Sequence, residues 1–412
     1  MGQRSVLSRH EFVAIVAALM AIEALAIDIM LPALPDMGAA FSVANPNDRS
    51  LVLTWFLIGF GLPQVVFGPL SDRYGRRPPI LIGLTVYVIC ALACTAIWDF
   101  TVLLWLRFVQ GAAAAAIRVG ILSAVRDRYE GAAMSEIMSV AMSIFLLVPI
   151  LMPGAGQLIL LAGPWQLIFV VMGALGLIVG AWAFLRLPES LAATNRRALD
   201  VRSVAQAFGI VIRNRAAFSY GLSGAFLLGI ILGLINTSQQ VYVDIYDLGP
   251  YYPVAFAIMP VTASIGFFLN SRLVATFGMR RLSQGAMLLF FVGSLAWFGM
   301  TLAGPMPLWL FMTMVALVVS LLAFGFPNAG ALAMEPLADV AGTASAVFGA
   351  MQTVGGAILG WVVAQSFDGT LRPVIASLCI FGGCVLICFL VAENGRLFVR
   401  DGPVAPDPAP IA

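Results

Sequence analysis

Four charged residues interrupt otherwise apolar sequence. Glu23 and Asp28 lie in MAIEALAIDIMLPALP; Arg107 opens RFVQGAAAAA, and Arg118 follows it. A carboxylate in such a setting can exchange a proton, or hold a cation or a hydrogen-bond donor. An arginine keeps its proton and serves as a fixed counter-charge. A charge at the centre of a bilayer costs about 2.5–3.5 kcal/mol on insertion scales, so such residues mark work rather than filling. The chemistry on offer is proton exchange coupled to binding. Enzyme chemistry has no comparable set. The one histidine, His10, sits in the N-terminal flank without partners. The five cysteines (Cys90, Cys94, Cys379, Cys384 and Cys388) fall in apolar runs, like small buried hydrophobes. No metal site or cofactor is expected. A phosphate-cradling loop would need a lysine, and all 22 basic residues are arginine.

Residues of this kind need membrane-spanning elements to hold them. The 412-residue chain is 61% hydrophobic and 10% charged, against about 25% charged in soluble domains. It reads as an integral membrane protein. Twelve apolar runs are long enough to cross: about 12–34, 51–70, 79–97, 101–122, 137–161, 165–187, 217–241, 253–271, 282–303, 307–330, 341–365 and 373–392. Arginine concentrates in the N-terminal tail, in loops two, four, six and eight, and in the C-terminal tail. The odd-numbered loops carry only Arg49 and Arg372. The positive-inside rule then puts both termini in the cytoplasm.

The longest loop, PESLAATNRRALDVRSVAQAFGIVIRNR, divides six runs from six. The expected architecture is an all-α membrane protein with twelve transmembrane helices in two pseudo-symmetric six-helix bundles. Its units are an N-terminal bundle (1–187), a cytoplasmic linker (188–216), a C-terminal bundle (217–396) and a Pro-rich disordered tail (397–412). The linker's second half reads as a short helix on the membrane surface. A faint repeat supports the division: Tyr74-Gly75-Arg76-Arg77 in loop two matches Phe277-Gly278-Met279-Arg280 in loop eight. Repeats of six helices are a plan of secondary transporters, with the substrate site between the halves.

Helical geometry arranges the four charges. All lie in the first half, so charge handling belongs there. At about 1.5 Å per residue, Asp28 and Arg107 lie at matching depths, about 9 Å from the outer end of helices one and four, which makes an ion pair or a water-bridged pair between them geometrically feasible. Glu23 and Asp28 are about 140° apart around their helix, so Glu23 faces either the substrate or a neighbouring helix. Arg107, Gln110, Gly111, Ala114 and Arg118 share one stripe. Arg118 lies about 16 Å from Arg107 along the axis, near enough to the cytoplasmic end to snorkel. In helix seven, INTSQQVY sets Asn236, Gln239 and Gln240 together, as substrate ligands, as partners of one another, or as outer-interface groups. Trp55 reads as an aromatic-belt or a binding residue. Met142 and Phe145 read as pocket lining or core packing.

At residues 68–80 the chain reads GPLSDRYGRRPPI. Gly68 would let helices approach closely. Asp72, Arg73, Gly75, Arg76 and Arg77 make a compact charged turn at the cytoplasmic edge. This segment resembles the signature loop of the major facilitator superfamily, and the resemblance covers nearly the whole chain. It implies that the loop braces the two halves, with Asp72 meeting the cytoplasmic end of helix eleven and an arginine pairing with Asp127. RFVQG resembles the fourth-helix motif of proton-coupled drug antiporters. VPILMPGAGQ resembles their fifth-helix antiporter motif, with Pro149, Pro153, Gly154 and Gly156 in it; Met152 and Gln157 replace the usual small residues. AIDIMLPALP resembles the bicyclomycin/chloramphenicol-resistance branch.

The resemblance implies a proton-coupled exporter of small amphipathic drug-like compounds in a bacterial inner membrane, with Asp28, Glu23 and Arg107 coupling protons. Glu23, Asp28, Asn236, Gln239, Phe145 and Trp55 are the candidate substrate ligands. Lipid, protons and a small molecule are the expected partners, with no nucleic acid and with a monomer as the working unit. An importer or metabolite exporter of the same fold would use the same residues. A membrane enzyme would need a nucleophile or metal set that is not visible, and a sensor would need a soluble output domain.

Overall fold

The computed structural model describes residues 8–129, 131–192, 194, 196 and 201–398; within these, the side chains of 131–133, 135, 136, 140–146, 201–205, 207, 338 and 339 lie outside the description. Phe145 and Met142 fall in that set, as does the tail from residue 399 on. The described chain contains helices and no strand. The helices are α1 (Arg9–Asp28), α2 (Leu34–Ala40), α3 (Leu51–Gly61), α4 (Gln64–Tyr74), α5 (Arg77–Ala93), α6 (Phe100–Arg128), α7 (Gly131–Ala162) and α8 (Gln166–Arg186). They continue as α9 (Val201–Arg213), α10 (Arg215–Gln239), α11 (Tyr252–Phe256), α12 (Ile258–Phe277), α13 (Met279–Ala303), α14 (Leu308–Met334), α15 (Ala341–Gln365) and α16 (Arg372–Ala392).

Nine helical stretches among the described residues are long and apolar enough to cross a membrane, and a pair bent by 43°, Pro46–Gly61 with Gln64–Tyr74, makes a tenth. The other two apolar runs of the sequence fall on the shorter apolar helices Arg77–Ala93 and Leu147–Ala162. The bend has a simple cause. Pro63 lacks the N–H that would continue α3, and it caps α4 instead.

Helix one also departs from a single straight span. The α-helix stops at Asp28, a 3-10 turn covers Leu31–Ala33, and α2 follows. Pro32 cannot donate to the carbonyl four residues back, so the α-helical ladder ends there. Asp28 thus stands at a helix end, not within a continuing helix.

Within lipid, apolar surface alone gives helices no reason to associate, so close packing of small residues carries the load. Gly221, Gly224, Gly229 and Gly233 of α10 face Phe348, Gln352, Leu359 and Val363 of α15. Gly59 and Gly111 bring the backbones of α3 and α6 together at Phe108 and Phe56. In the first half α6 packs on α3 and α5, and α1 on α7; in the second, α10 packs on α15 and α16, and α14 on α12 and α13. Helix α15 reaches across to α3 and α4, and α7 to α11 and α12. Helix α9, in the linker, lies against α15, with Val211 fully buried.

The faint sequence repeat has a backbone counterpart. Gly75 (φ +99°) turns α4 into α5 and Gly278 (φ +80°) turns α12 into α13. Both need a positive φ that only glycine adopts readily. The close approach expected at Gly68 is absent: a Cβ there would meet open space.

Candidate transport site

Arg107 is fully buried. Its Nη2 donates to the Ala26 carbonyl at 2.8 Å, its Nε to the Val52 carbonyl at 3.3 Å, and its Nη1 to Gln110 Oε1 at 2.6 Å. The guanidinium sits 4.4 Å from the centre of the Phe56 ring. The expected ion pair with Asp28 is therefore not formed. The reason lies in the early end of α1. The last carbonyls of a helix lack intrahelical donors, and a cation is favoured at that negative end of the dipole. Arg107 caps α1 through its backbone and ties it to α3.

Asp28 is left without a hydrogen-bond or ion-pair partner among the described residues, although it is only 4% exposed. In the second half, the Tyr252 hydroxyl shares a 3.0 Å hydrogen bond with Ser238 of α10.

Glu23 has the partner that Asp28 lacks. Arg118 Nη1 donates to Glu23 Oε1 at 2.7 Å and to Oε2 at 2.9 Å. Arg118 therefore reaches to Glu23 of α1 instead of snorkelling to the membrane surface. Sequence reasoning placed both residues but missed the pair. The signal available was the shared stripe of Arg107 and Arg118, which points both side chains at α1.

The other candidates are not gathered at one point. Asn236 and Gln239 are buried on α10 and make no side-chain hydrogen bond among the described residues; Asn236 Oδ1 is fully enclosed. Gln240 turns outward, its Nε2 donating to Asn47 Oδ1 at 2.7 Å. Trp55 stacks edge-on against Trp105 at 4.7 Å and packs near Phe108, on a surface where Trp105 is exposed. Gly156 of α7 presses on the Ile29 carbonyl and Pro32, at the end of helix one, while Gly154 faces open space. Pro149 and Pro153 lie inside α7.

Polar assemblies lie at both ends of the spans. At the end that carries the first loop, Asn47 Nδ2 donates to the carbonyls of Gln365 (3.3 Å) and Phe367 (2.9 Å), and Gln365 Nε2 donates to Asp48 at 2.6 Å. With Gln240 these bonds latch the first loop to α10 and α15. No single-sequence signal marks such residues, because the partners are some 300 positions apart and their types are ordinary for loops.

At the opposite end, Arg76 bonds Asp72 at 2.5 Å and Asp127 at 2.8 Å. Burial works against the Arg76 charge, but the Asp127 and Asp72 carboxylates more than reverse this, so its pKa lies above the usual arginine value. Asp72 thus takes Arg76 as its ion-pair partner, and α4, which carries it, packs on α15. Arg73 lies over the Tyr74 ring, and Arg77 donates to the Phe184 carbonyl. Glu189 of the linker accepts the Arg76 and Arg77 backbone N–H groups at 2.8 and 3.2 Å, a carboxylate on the N-terminus of α5. The second half repeats the plan: Arg280 bonds Glu335 at 2.7 Å and Glu393 at 2.9 Å.

Buried charges in one half and packed apolar spans describe a multi-pass membrane protein. The Major Facilitator Superfamily model matches residues 16–360, and the chain belongs to that superfamily. It is similar to a bicyclomycin resistance protein homolog of Haemophilus influenzae, 29% identical over 365 residues, covering 88% of this chain and 90% of that one. It is also similar to the multidrug resistance protein MdtL of Citrobacter koseri, 26% identical, covering 89% and 90%. Among solved structures, a bacterial homologue of the human lysosomal transporter Spinster, inward-facing and occupied, superposes with a TM-score of 0.70 at 16% identity over 96% of this chain and 99% of that one. The xylose transporter XylE of E. coli, partially occluded and inward open, gives 0.70 at 12% identity over 93% and 96%. These last two likenesses speak to the fold alone.

Proposed function

We propose that this protein exports small amphipathic drug-like compounds in exchange for protons, by alternating access between a six-helix half (1–187) and a second half (217–396). The observation that carries the reading is Asp28: a buried carboxylate at a helix end, with no hydrogen-bond or ion-pair partner among the described residues. An intramembrane acid without a counter-ion is costly when charged, so it gains by taking a proton or a bound cation. Arg107 sets the position of α1, and so of Asp28, rather than neutralising it. The cycle follows. Open to the outside, Asp28 takes a proton and drug is released. The loaded carrier turns inward, the proton leaves to the cytoplasm, and drug binds again. One charge moved across 100 mV supplies about 2.3 kcal/mol. The names of the resistance relatives support the substrate class, the bacterial relatives support an inner-membrane location, and the arginine asymmetry supports both termini in the cytoplasm.

Inverted membrane vesicles test the reading. With an inside-acid gradient, vesicles carrying the protein should accumulate chloramphenicol or a lipophilic cation, and a protonophore should abolish the accumulation. Uptake into right-side-out vesicles down the same coupling, without accumulation in inverted ones, would instead mark an importer.

A further inference from the structure

We infer that the end of α10 encloses a binding site for a single water molecule, hydrogen-bonded by Tyr242, and that this water holds the turn from which Gln240 reaches Asn47. The inference stands apart from what the protein transports. Three observations carry it.

The first is the backbone. After Gln239 the helix widens into a π turn over Gln240–Ile245, and the Tyr246 N–H reaches back to the Val241 carbonyl at 3.3 Å. Asp247 follows at φ +52°, in the left-handed region. π turns are rare, and a left-handed residue other than glycine is uncommon, so the surroundings of this turn must hold it.

The second is a cavity against that turn, large enough for one water and too small for a drug-like molecule. Its apolar wall includes Phe311 and Val315 of α14 and Val374 of α16, and its polar edge is Thr237, Ser238 and Tyr242. All six residues are buried. An apolar cavity stays dry, whereas one edged by two to four polar groups takes a water.

The third is an unmet hydrogen bond. Tyr242 is 2% exposed, and its hydroxyl has no partner among the described residues. Its ring is packed between those of Phe311, at 5.8 Å, and Tyr252, at 6.2 Å. The neighbouring hydroxyls have spent their protons on helix carbonyls: Thr237 Oγ1 donates to Gly233 at 2.8 Å and Ser238 Oγ to Ile235 at 2.6 Å. Their oxygens can still accept. A water that takes the Tyr242 proton and donates to these oxygens satisfies the whole edge. A bridging water is nearly as good as a direct bond, and an unmade buried one is expensive.

The consequence reaches beyond the cavity. Gln240 opens the same turn, and its Nε2 donates to Asn47 Oδ1, in the loop between α2 and α3. Bracing Tyr242, two residues on, fixes the register from which Gln240 makes that bond.

The test is Y242F, which removes one oxygen and keeps the ring, melted in the full chain in lipid nanodiscs. Around a dry cavity, deleting an unmet hydroxyl leaves stability unchanged or raises it. With the water present, Y242F should instead lower the melting temperature by about 1–3 °C. In an N47A background the same change should cost about half as much or less, because the two act through one turn. A high-resolution structure of the wild type, which needs no variant to fold, should show a water about 2.7–2.8 Å from the Tyr242 hydroxyl oxygen. Y242F melting at or above wild type, or a wild-type map with an empty cavity, would overturn the inference. So would a Y242F loss of equal size with and without Asn47.

Discussion

Replacing Arg107 with glutamine is expected to abolish transport and to lower stability by about 2–4 kcal/mol. The side chain is wholly buried, and three acceptors converge on it: two backbone carbonyls, on helix one and α3, and Gln110. A buried acceptor left without its donor costs about 1–3 kcal/mol, and the carbonyl at the end of α1 also loses its favourable cation. R107K keeps the charge but not the planar fork, so it cannot serve all three acceptors at once. It should recover part of the stability and little of the transport. Thermal melting in detergent alongside vesicle transport reads both. If R107Q melts with wild type and transports normally, Arg107 is not the cap that positions Asp28.

The second large effect is a contrast between two glycines of one motif. In Gly156→Ala the new methyl would overlap the Ile29 carbonyl, which is backbone and cannot swing aside. Helix α7 must then move away from helix one at the turn that ends beside Asp28. Overpacking of this kind costs about 1–3 kcal/mol, and transport should fall at least tenfold. Gly154→Ala, two residues earlier, meets open space and should stay within about 0.5 kcal/mol of wild type, with near-normal transport. Equal behaviour of the two variants would contradict this packing.

Much of this was legible in the sequence. Apolar runs marked the helices because a bilayer sets a minimum length of apolar chain. The turn glycines Gly75 and Gly278 showed through because positive φ restricts the residue type. The α6 stripe correctly aimed Arg107 and Arg118 at one side. What the sequence hid were partners. Depth arithmetic assumed an unbroken helix one, whereas Pro32 ends it at Asp28 and frees carbonyls that draw Arg107 away from the acid. Glu23 and Arg118 meet through the tilt and register of two packed helices, which no residue type encodes. The latch of Asn47, Gln240 and Gln365 depends on contacts between one loop and two distant helix ends, and Asn and Gln at such places carry no distinguishing mark. The linker residue Glu189 looked like one more polar loop position until its place on the N-terminus of α5 was seen.

The central claim is that Asp28, a buried acid without a partner among the described residues, exchanges the proton. The most direct measurement is proton release on drug binding by the purified protein in weakly buffered solution, for wild type, D28N and E23Q. Wild type and E23Q should release protons when a neutral drug binds, and D28N should release none while remaining folded. Release by D28N equal to wild type would contradict the account, and loss of release in E23Q would assign the proton to Glu23.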